Sequence, residues 1–171
     1  MRLNEKVQAV LNKQINAELW SAYLYLSMSS YFESEGFAGF ASWMRIQYQE
    51  ETAHAMKMFN YVHERGGRVI LEPISEVETQ WDSSLHAFEE TYKHECLVSD
   101  LINNCIEVAM AEKDHASVNF LKWFIDEQVE EEANVSAILD ELIIVGAKGH
   151  ALLMINRELG ARVFVDPTLV K

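Results

Sequence analysis

The 171-residue sequence contains little proline, glycine and cysteine. Two prolines and seven glycines are too few for the many turns of a loop-rich all-β fold, so the composition favours long helices. The two cysteines, Cys96 and Cys105, form neither a C-x-x-C pair nor a disulfide framework. This use of cysteine is typical of the reducing cytosol, and we expect a cytoplasmic protein.

Long apolar segments and positive charge are also scarce. No uninterrupted apolar run approaches the roughly 20 residues that span a bilayer, and residues 1–6 have no apolar segment of a secretory signal. Fourteen basic residues against 27 acidic ones give a formal net charge of −13. We therefore expect neither a membrane nor a nucleic-acid partner, and the charge favours cationic partners. Many soluble proteins, however, are acidic simply because acidity keeps them soluble.

The apolar residues recur with the helical period over most of the chain, which predicts an all-α fold. Four long helices are expected at about residues 5–33, 37–65, 83–111 and 115–145, followed by a short helix at 148–159. Short turns join the first two helices and the last two long ones. The middle connection has about 15 residues, which reach ~50 Å when extended, and a 28-residue helix is ~42 Å long. We therefore predict one domain over residues 1–171, a four-helix bundle with a long crossover that makes the second and third helices parallel.

Each long helix carries one carboxylate in the middle of its apolar face: Glu18, Glu51, Glu95 and Glu131. Glu18 lies 17 residues before the first turn at residue 35, and Glu51 lies 16 after it. Glu95 and Glu131 each lie 18 residues from the second turn, at residue 113. Because the two hairpins enter from opposite ends, all four carboxylates should meet near mid-height. The alternative is that the four acids are unrelated and exposed. In that case, all four would lie on the apolar helix faces at the same level of the bundle by coincidence.

Glu51 and His54 stand three residues apart, so both point from one face of the second helix. Alone, the motif is weak, because surface or hydrogen-bonded pairs of this kind are common. With four carboxylates at one buried depth, the charges would repel one another unless cations bound there. Carboxylates with an imidazole suit iron, manganese or zinc better than magnesium or calcium. The residues therefore predict a site for two divalent ions.

The whole pattern resembles the bacterial non-haem ferritins, in which a Glu-x-x-His motif on an inward helix face is a known part of the di-iron site. The resemblance covers the four long helices, the crossover and the short last helix. It implies that Glu18, Glu51, His54, Glu95 and Glu131 are the ferroxidase ligands. Glu51 would bridge the two irons, Glu18 and His54 would complete one position, and Glu95 and Glu131 the other.

The resemblance implies further roles around the paired site. Tyr25 matches a tyrosine of the family that lies beside the ligands, and Gln128 matches a glutamine that lines the oxygen pocket. Glu50, Glu127 and Glu130 match the additional carboxylates that hold a third iron in bacterial ferritins. Judged without the resemblance, these three acids are equally well explained as a solvated acidic face.

Three departures separate the chain from related families. Bacterioferritin and rubrerythrin repeat Glu-x-x-His in the fourth helix, whereas Asn134 stands here at the place of that second histidine. Thr52 and Ala53 stand where bacterioferritin has its haem-binding methionine, so we expect no haem cofactor. Rubrerythrin also needs four cysteines for its rubredoxin iron, and this chain has two.

The resemblance implies an iron-storage protein that is also a ferroxidase. Such a protein oxidises Fe(II) with O2 or H2O2 at its di-iron centre and stores Fe(III) as a mineral inside a homo-oligomeric shell of about 24 subunits. Two alternatives remain open from the residues: a di-iron enzyme such as a peroxidase that stores no mineral, and a metal-free structural bundle.

Trp123 is either an electron donor to the site or a packing residue. His63, His86, His94, His115 and His150 are expected at the surface or in helix caps.

Overall fold

The computed structural model describes residues 2–146 and 149–169. It confirms the all-α fold, and the described residues contain no strand. The helices are α1 (Glu5–Ser34), α2 (Ala38–Glu64), α3 (Ser84–Ala111), α4 (His115–Val145) and α5 (Gly149–Leu159), and a short 3-10 turn follows at Pro167–Leu169. The second and third helices each begin one residue later than predicted. The predicted start of the fifth helix, residue 148, lies outside the described residues.

Polar side chains fix the start of three of the long helices. The Asn4 side chain accepts hydrogen bonds from the backbone amides of Lys6 and Val7 at the start of α1. Ser83 caps α3 and Asp114 caps α4 in the same way. These caps satisfy amide groups that have no partner inside the helix, and so they define where each helix begins.

The crossover between α2 and α3 runs along α1. Three α1 side chains at successive turns donate to its carbonyls: Asn12 to Arg68, Asn16 to Glu72 and Trp20 to Glu76. Further along, the Tyr31 hydroxyl donates to the carbonyl of Trp81 at 2.8 Å. The crossover therefore travels in the direction of α1, from the end of α2 to the start of α3, and this makes α2 and α3 parallel as predicted.

The end of α2 and the start of α4 meet at the same end of the bundle. Arg65 forms an ion pair with Asp114, with a 3.0 Å distance between the guanidinium nitrogen and the carboxylate oxygen. At the same end, Lys6 of α1 contacts Glu112, which follows α3, at 2.6 Å. The α1–α2 turn lies at the opposite end, so the two hairpins approach each other head to tail, and their midpoints share one level.

The apolar core is divided into two clusters. One contains Phe32, Phe40 and Phe88, near the α1–α2 turn. The other contains Leu11 and Met58, near the start of α1, together with other side chains from all four helices. Buried polar side chains occupy the level between the clusters, so they lie in the middle of the bundle, where water is excluded. No helix within residues 2–146 and 149–169 is long and apolar enough to cross a membrane.

Candidate metal centre

The four carboxylates predicted to share one depth all lie in the polar layer between the two core clusters. Glu18, Glu51, Glu95 and Glu131 come from α1, α2, α3 and α4, and none is more than 5% exposed. One ligand atom from each of Glu18, Glu51 and His54 lies within 4.8 Å of the other two. Glu95 and Glu131 do not belong to this group of three. Burial, together with the charges of Glu95 and Glu131, raises the pKa of Glu51.

His54 lies between two carboxylates. Its Nδ1 atom is 3.6 Å from an oxygen of Glu51, one helical turn away, and its Nε2 atom is 3.9 Å from an oxygen of Glu127 on α4. The ring packs edge-on against Trp123, with 5.5 Å between the ring centroids. Glu18 reaches the same place from α1, and its Oε1 atom accepts a hydrogen bond from Gln14 at 2.8 Å.

Four buried polar atoms at this point have no hydrogen-bond partner among residues 2–146 and 149–169. They are Glu18 Oε2, both carboxylate oxygens of Glu51 and His54 Nε2. A buried polar group without a partner costs about 1–3 kcal/mol, and a charged group costs more. Since three are carboxylate oxygens and one is an imidazole nitrogen, a bound transition-metal ion would satisfy them. The donor set therefore fits iron, as predicted from the sequence.

Burial makes the carboxyl groups hard to ionise in the metal-free protein. Burial, followed by the charge of Glu51, raises the pKa of Glu18 well above its ordinary value. Burial and the charge of Glu95 do the same to the pKa of Glu51. The pKa of Glu95 rises to about 8, chiefly through burial and then through the charge of Glu131. A bound cation would reverse these effects, because it stabilises the ionised form.

Tyr25 and Gln128 both contact Glu95. The Tyr25 hydroxyl donates a short hydrogen bond to Oε1 of Glu95. The Gln128 amide donates to Oε2 of the same carboxylate at 3.2 Å. One contact on each oxygen fixes the plane of the Glu95 carboxylate. The two residues that the resemblance places beside the site therefore orient one of its four carboxylates.

The three outer acids surround one cavity of about 520 Å³, which Glu131 and Trp123 also line. Glu50 is buried, Glu127 is half-buried and Glu130 is exposed. Burial, followed by the charge of Glu131, raises the pKa of Glu50 to about 7. The structure thus brings the three together, but in three different environments rather than on one uniformly solvated face.

Sequence reasoning missed Arg162, which lies in the segment after α5. Its guanidinium donates to both oxygens of Glu50, at 2.9 and 2.8 Å, and to Oε1 of Gln47. The Gln47 amide in turn donates to Oε2 of Glu131 at 2.8 Å. Gln47 is a buried polar residue one turn before Glu51 on α2, so the helical period is a signal that could have identified it. Arg162 follows the last periodic segment, so no pattern in the sequence pointed to it.

The expectation for His94 was wrong. It lies neither freely at the surface nor in a cap: its Nε2 atom is 2.7 Å from the Ser21 hydroxyl, and its ring packs on Trp20 and Tyr25. Burial lowers its pKa to about 4, so the ring is neutral at pH 7. The period of α3 placed His94 next to Glu95, but it did not show that α1 would cover the imidazole.

Comparison with known proteins gives a consistent result. Residues 8–144 match the family model described as Ferritin-like domain. A bacterial non-heme ferritin of Bacteroides fragilis is 46% identical over 160 residues, which cover 94% of this chain and 99% of that protein. A probable bacterial non-heme ferritin-like protein of Haemophilus influenzae is 37% identical over 158 residues, covering 92% and 96% of the two chains.

Two solved structures of Archaeoglobus fulgidus ferritin superpose on nearly the whole chain. An engineered closed form has a TM-score of 0.94 at 53% identity and covers 95% of this chain and 99% of its own. A structure described as a novel open pore ferritin has a TM-score of 0.93 at 52% identity and covers 95% and 100% of the two chains.

Proposed function

The chain belongs to the ferritin-like domain family, and on this basis we propose that it stores iron and oxidises Fe(II) before storing it. The observation that carries the proposal is the convergence of Glu18, Glu51 and His54, whose unpartnered atoms suit a metal ion. All of residues 1–171 would form one ferritin-like domain, because side chains from all four long helices build the site and both core clusters.

In this proposal, the protein side chains bind and orient two Fe(II) ions as substrate. Glu18 and His54 hold one ion, Glu95 and Glu131 hold the other, and Glu51 bridges them. Tyr25 and Gln128, through their hydrogen bonds to Glu95, keep its oxygens turned toward the site. The apolar clusters above and below the polar layer exclude water, which strengthens the electrostatic attraction between the carboxylates and the ions.

The reaction balances with either oxidant. Two Fe(II) ions give up two electrons, which reduce one O2 to H2O2 or one H2O2 to water, with protons from solvent. Binding of the ions ionises Glu18, Glu51 and Glu95, whose pKa values are raised in the metal-free protein, so it releases protons. The Fe(III) product would leave to a mineral inside a shell of about 24 copies in the cytoplasm. The resemblance and the named relatives support the shell and the mineral.

Glu50, Glu127 and Glu130 are proposed to bind a third iron beside the pair. They line the cavity next to Glu131, and Glu127 is also 3.9 Å from His54. With no imidazole of its own and with Glu130 exposed to water, this position should bind more weakly than the pair. No haem is expected, because Thr52 and Ala53 occupy the place of the methionine that ligates haem in bacterioferritin.

A crystal soaked anaerobically in Fe(II) tests the proposal at the site itself. An anomalous difference map from data collected at the iron absorption edge should show two strong peaks per subunit. One should lie beside Glu18 and His54, and the other beside Glu95 and Glu131. A crystal grown with the Glu51→Ala variant is the matched control and should lose both strong peaks. Iron bound only at surface acids in both crystals would contradict the proposal and favour a metal-free structural bundle.

A further inference from the structure

The segment after α5 folds back along α2 instead of leaving the bundle. The Asn156 side chain accepts a hydrogen bond from the Phe40 amide at 3.0 Å, and the Asn156 backbone packs directly on Gly39. A Cβ atom added to Gly39 would lie 1.5 Å from the Asn156 carbonyl oxygen, so only glycine permits this approach. The end of α5 is thereby fixed on the start of α2, and it directs the following residues toward the acidic cavity.

Arg162 is held at the cavity from three sides. Both oxygens of Glu50 accept hydrogen bonds from one of its nitrogens, Gln47 accepts from another, and the guanidinium lies 5.3 Å from the ring centroid of Trp43. The side chain of Glu50 is only 10% exposed. Charge-assisted contacts to both oxygens of a largely buried carboxylate are among the strong hydrogen bonds of a protein. Arg162 is therefore a defined part of the site.

The cavity is strongly acidic apart from this arginine. Four carboxylates line it, from Glu50, Glu127, Glu130 and Glu131, and Arg162 is the cation that contacts Glu50. Lys57 contacts Trp123 of the cavity wall: its ammonium group lies over the ring, 4.1 Å from the centroid. A guanidinium that contacts both oxygens of Glu50 occupies the side on which a metal ion could bind both oxygens, and its positive charge repels a cation placed beside it.

We propose that Arg162 is a built-in counter-cation of this cavity, which a metal ion must displace before it can bind Glu50. The inference rests on the proposed function, since it specifies how the third position is regulated. Displacement breaks the contacts between Arg162 and Glu50, and this loss lowers the affinity of the cavity for metal. The pair at Glu51 therefore fills first, and the cavity fills only at higher metal concentration.

Displacement of Arg162 would also affect the paired site. Arg162 holds Oε1 of Gln47, and the Gln47 amide holds Oε2 of Glu131. When Arg162 leaves, Gln47 loses its donor and can turn away from Glu131. Val163, Val165 and Pro167 form a wall of the cavity, so this wall also loses an anchor. Arg162 thus acts as a positioning residue that couples the third position to one carboxylate of the pair.

Zinc binding to the metal-free protein tests this inference without any oxidation. Equilibrium dialysis against Zn(II) would compare wild type with Arg162→Gln and Arg162→Lys, and data at the zinc edge would locate the ions. Arg45→Gln is the matched control, because Arg45 pairs with exposed Glu33 on the surface. We expect the third zinc to bind about tenfold more tightly in Arg162→Gln, since no charged hydrogen bonds need to be broken. Arg162→Lys should lie between, and Arg45→Gln should match wild type.

Hydrogen exchange of wild type supplies a second measurement that does not depend on any variant folding. Amides of residues 160–169 should exchange faster once the third zinc binds, and not when only the pair is filled. Any one of three results would overturn the inference. The first is an equal dissociation constant for the third zinc in wild type and Arg162→Gln. The others are the absence of zinc among Glu50, Glu127 and Glu130 in both proteins, and unchanged amide exchange on zinc binding. If zinc failed to bind at Glu18, Glu51 and His54 while the Arg162→Gln effect held, the proposed function would be contradicted and this inference would stand.

Discussion

At the scale of single residues, the polar side chains at the centre of the bundle lower the stability of the metal-free protein and provide ligands for a metal ion. Glu51 has two buried oxygens with no hydrogen-bond donor in the described chain, and burial with neighbouring negative charge raises its pKa. A buried acid of this kind weakens the metal-free protein, because desolvation and repulsion are not compensated. A residue that is costly for the fold, and that lies where three ligand atoms converge, points to binding as its purpose.

Removal of Glu51 or His54 should therefore stop catalysis without unfolding the protein. In Glu51→Ala and His54→Ala we expect rapid Fe(II) oxidation to be lost and the melting temperature of the metal-free protein not to fall, since an uncompensated buried group is gone. Stopped-flow absorbance of Fe(III) and thermal melting measure the two effects. Glu107→Ala, at an exposed acid, is the control. Wild-type oxidation rates in either site variant would show that the site is wrongly assigned.

Stability should also depend on pH through Glu95. Its pKa is about 8 in the folded protein and about 4.3 in an unfolded chain. Between these values the folded state binds more protons than the unfolded state, so the free energy of unfolding falls as pH rises from about 4.5 to 8. Urea denaturation of the metal-free protein at pH 6 and pH 8 should show this loss, and Glu95→Gln should reduce it. Identical pH slopes in the two proteins would contradict the assignment.

At the scale of helices, the sequence predicted most of what is local. The 3.6-residue period located the long helices, and counting from the turns placed Glu18 and Glu51 at one level. The Arg162 contact with Glu50 could not be predicted, because residues 112 positions apart meet only through packing of α5 on α2. The burial of His94 was missed for the same reason, since the side chains that cover it come from another helix.

The end of α2 and the start of α4 are joined by one side chain with two roles. Asp114 accepts a hydrogen bond from the Ser117 amide at 3.2 Å and pairs with Arg65. Asp114→Ala removes both the cap and the ion pair, so we expect the free energy of unfolding to fall by about 2 kcal/mol. Asp114→Asn keeps the capping oxygen and should lose about half as much. Chemical denaturation measures the difference, and equal losses in both variants would show that the cap contributes nothing.

The close packing of α5 on α2 gives a second prediction for an element. Gly39→Ala adds a carbon where the Asn156 carbonyl already lies, so α5 and the segment after it must shift. We expect faster amide exchange throughout residues 149–169 and a weaker contact between Arg162 and Glu50. Exposed Ala38→Ser is the matched control, and it should exchange like wild type. Unchanged exchange in Gly39→Ala would mean that the backbone accommodates the added carbon without moving α5.

At the scale of the whole molecule, the proposed storage of iron requires an assembly of several copies. A single chain of 19.7 kDa has room for a paired site and an acidic cavity, but it has no space for a mineral. The relatives that match nearly the whole chain are named ferritins, and their similarity extends over α1 to α5. The net charge of −13 suits a protein that attracts Fe(II). Storage would therefore depend on how many copies associate.

Native mass spectrometry before and after aerobic loading with Fe(II) tests the central claim most directly. We expect a particle of about 24 subunits, or about 470 kDa from chains of 19.7 kDa. After loading, each particle should carry well over a hundred irons, which exceeds the roughly 50 to 70 ions that about 24 subunits would hold at two or three ions each. Glu51→Ala should assemble to the same mass but load slowly. A particle that takes up only two or three irons per subunit and then stops would contradict storage and leave a di-iron enzyme without a mineral. A monomer that binds no iron would contradict both.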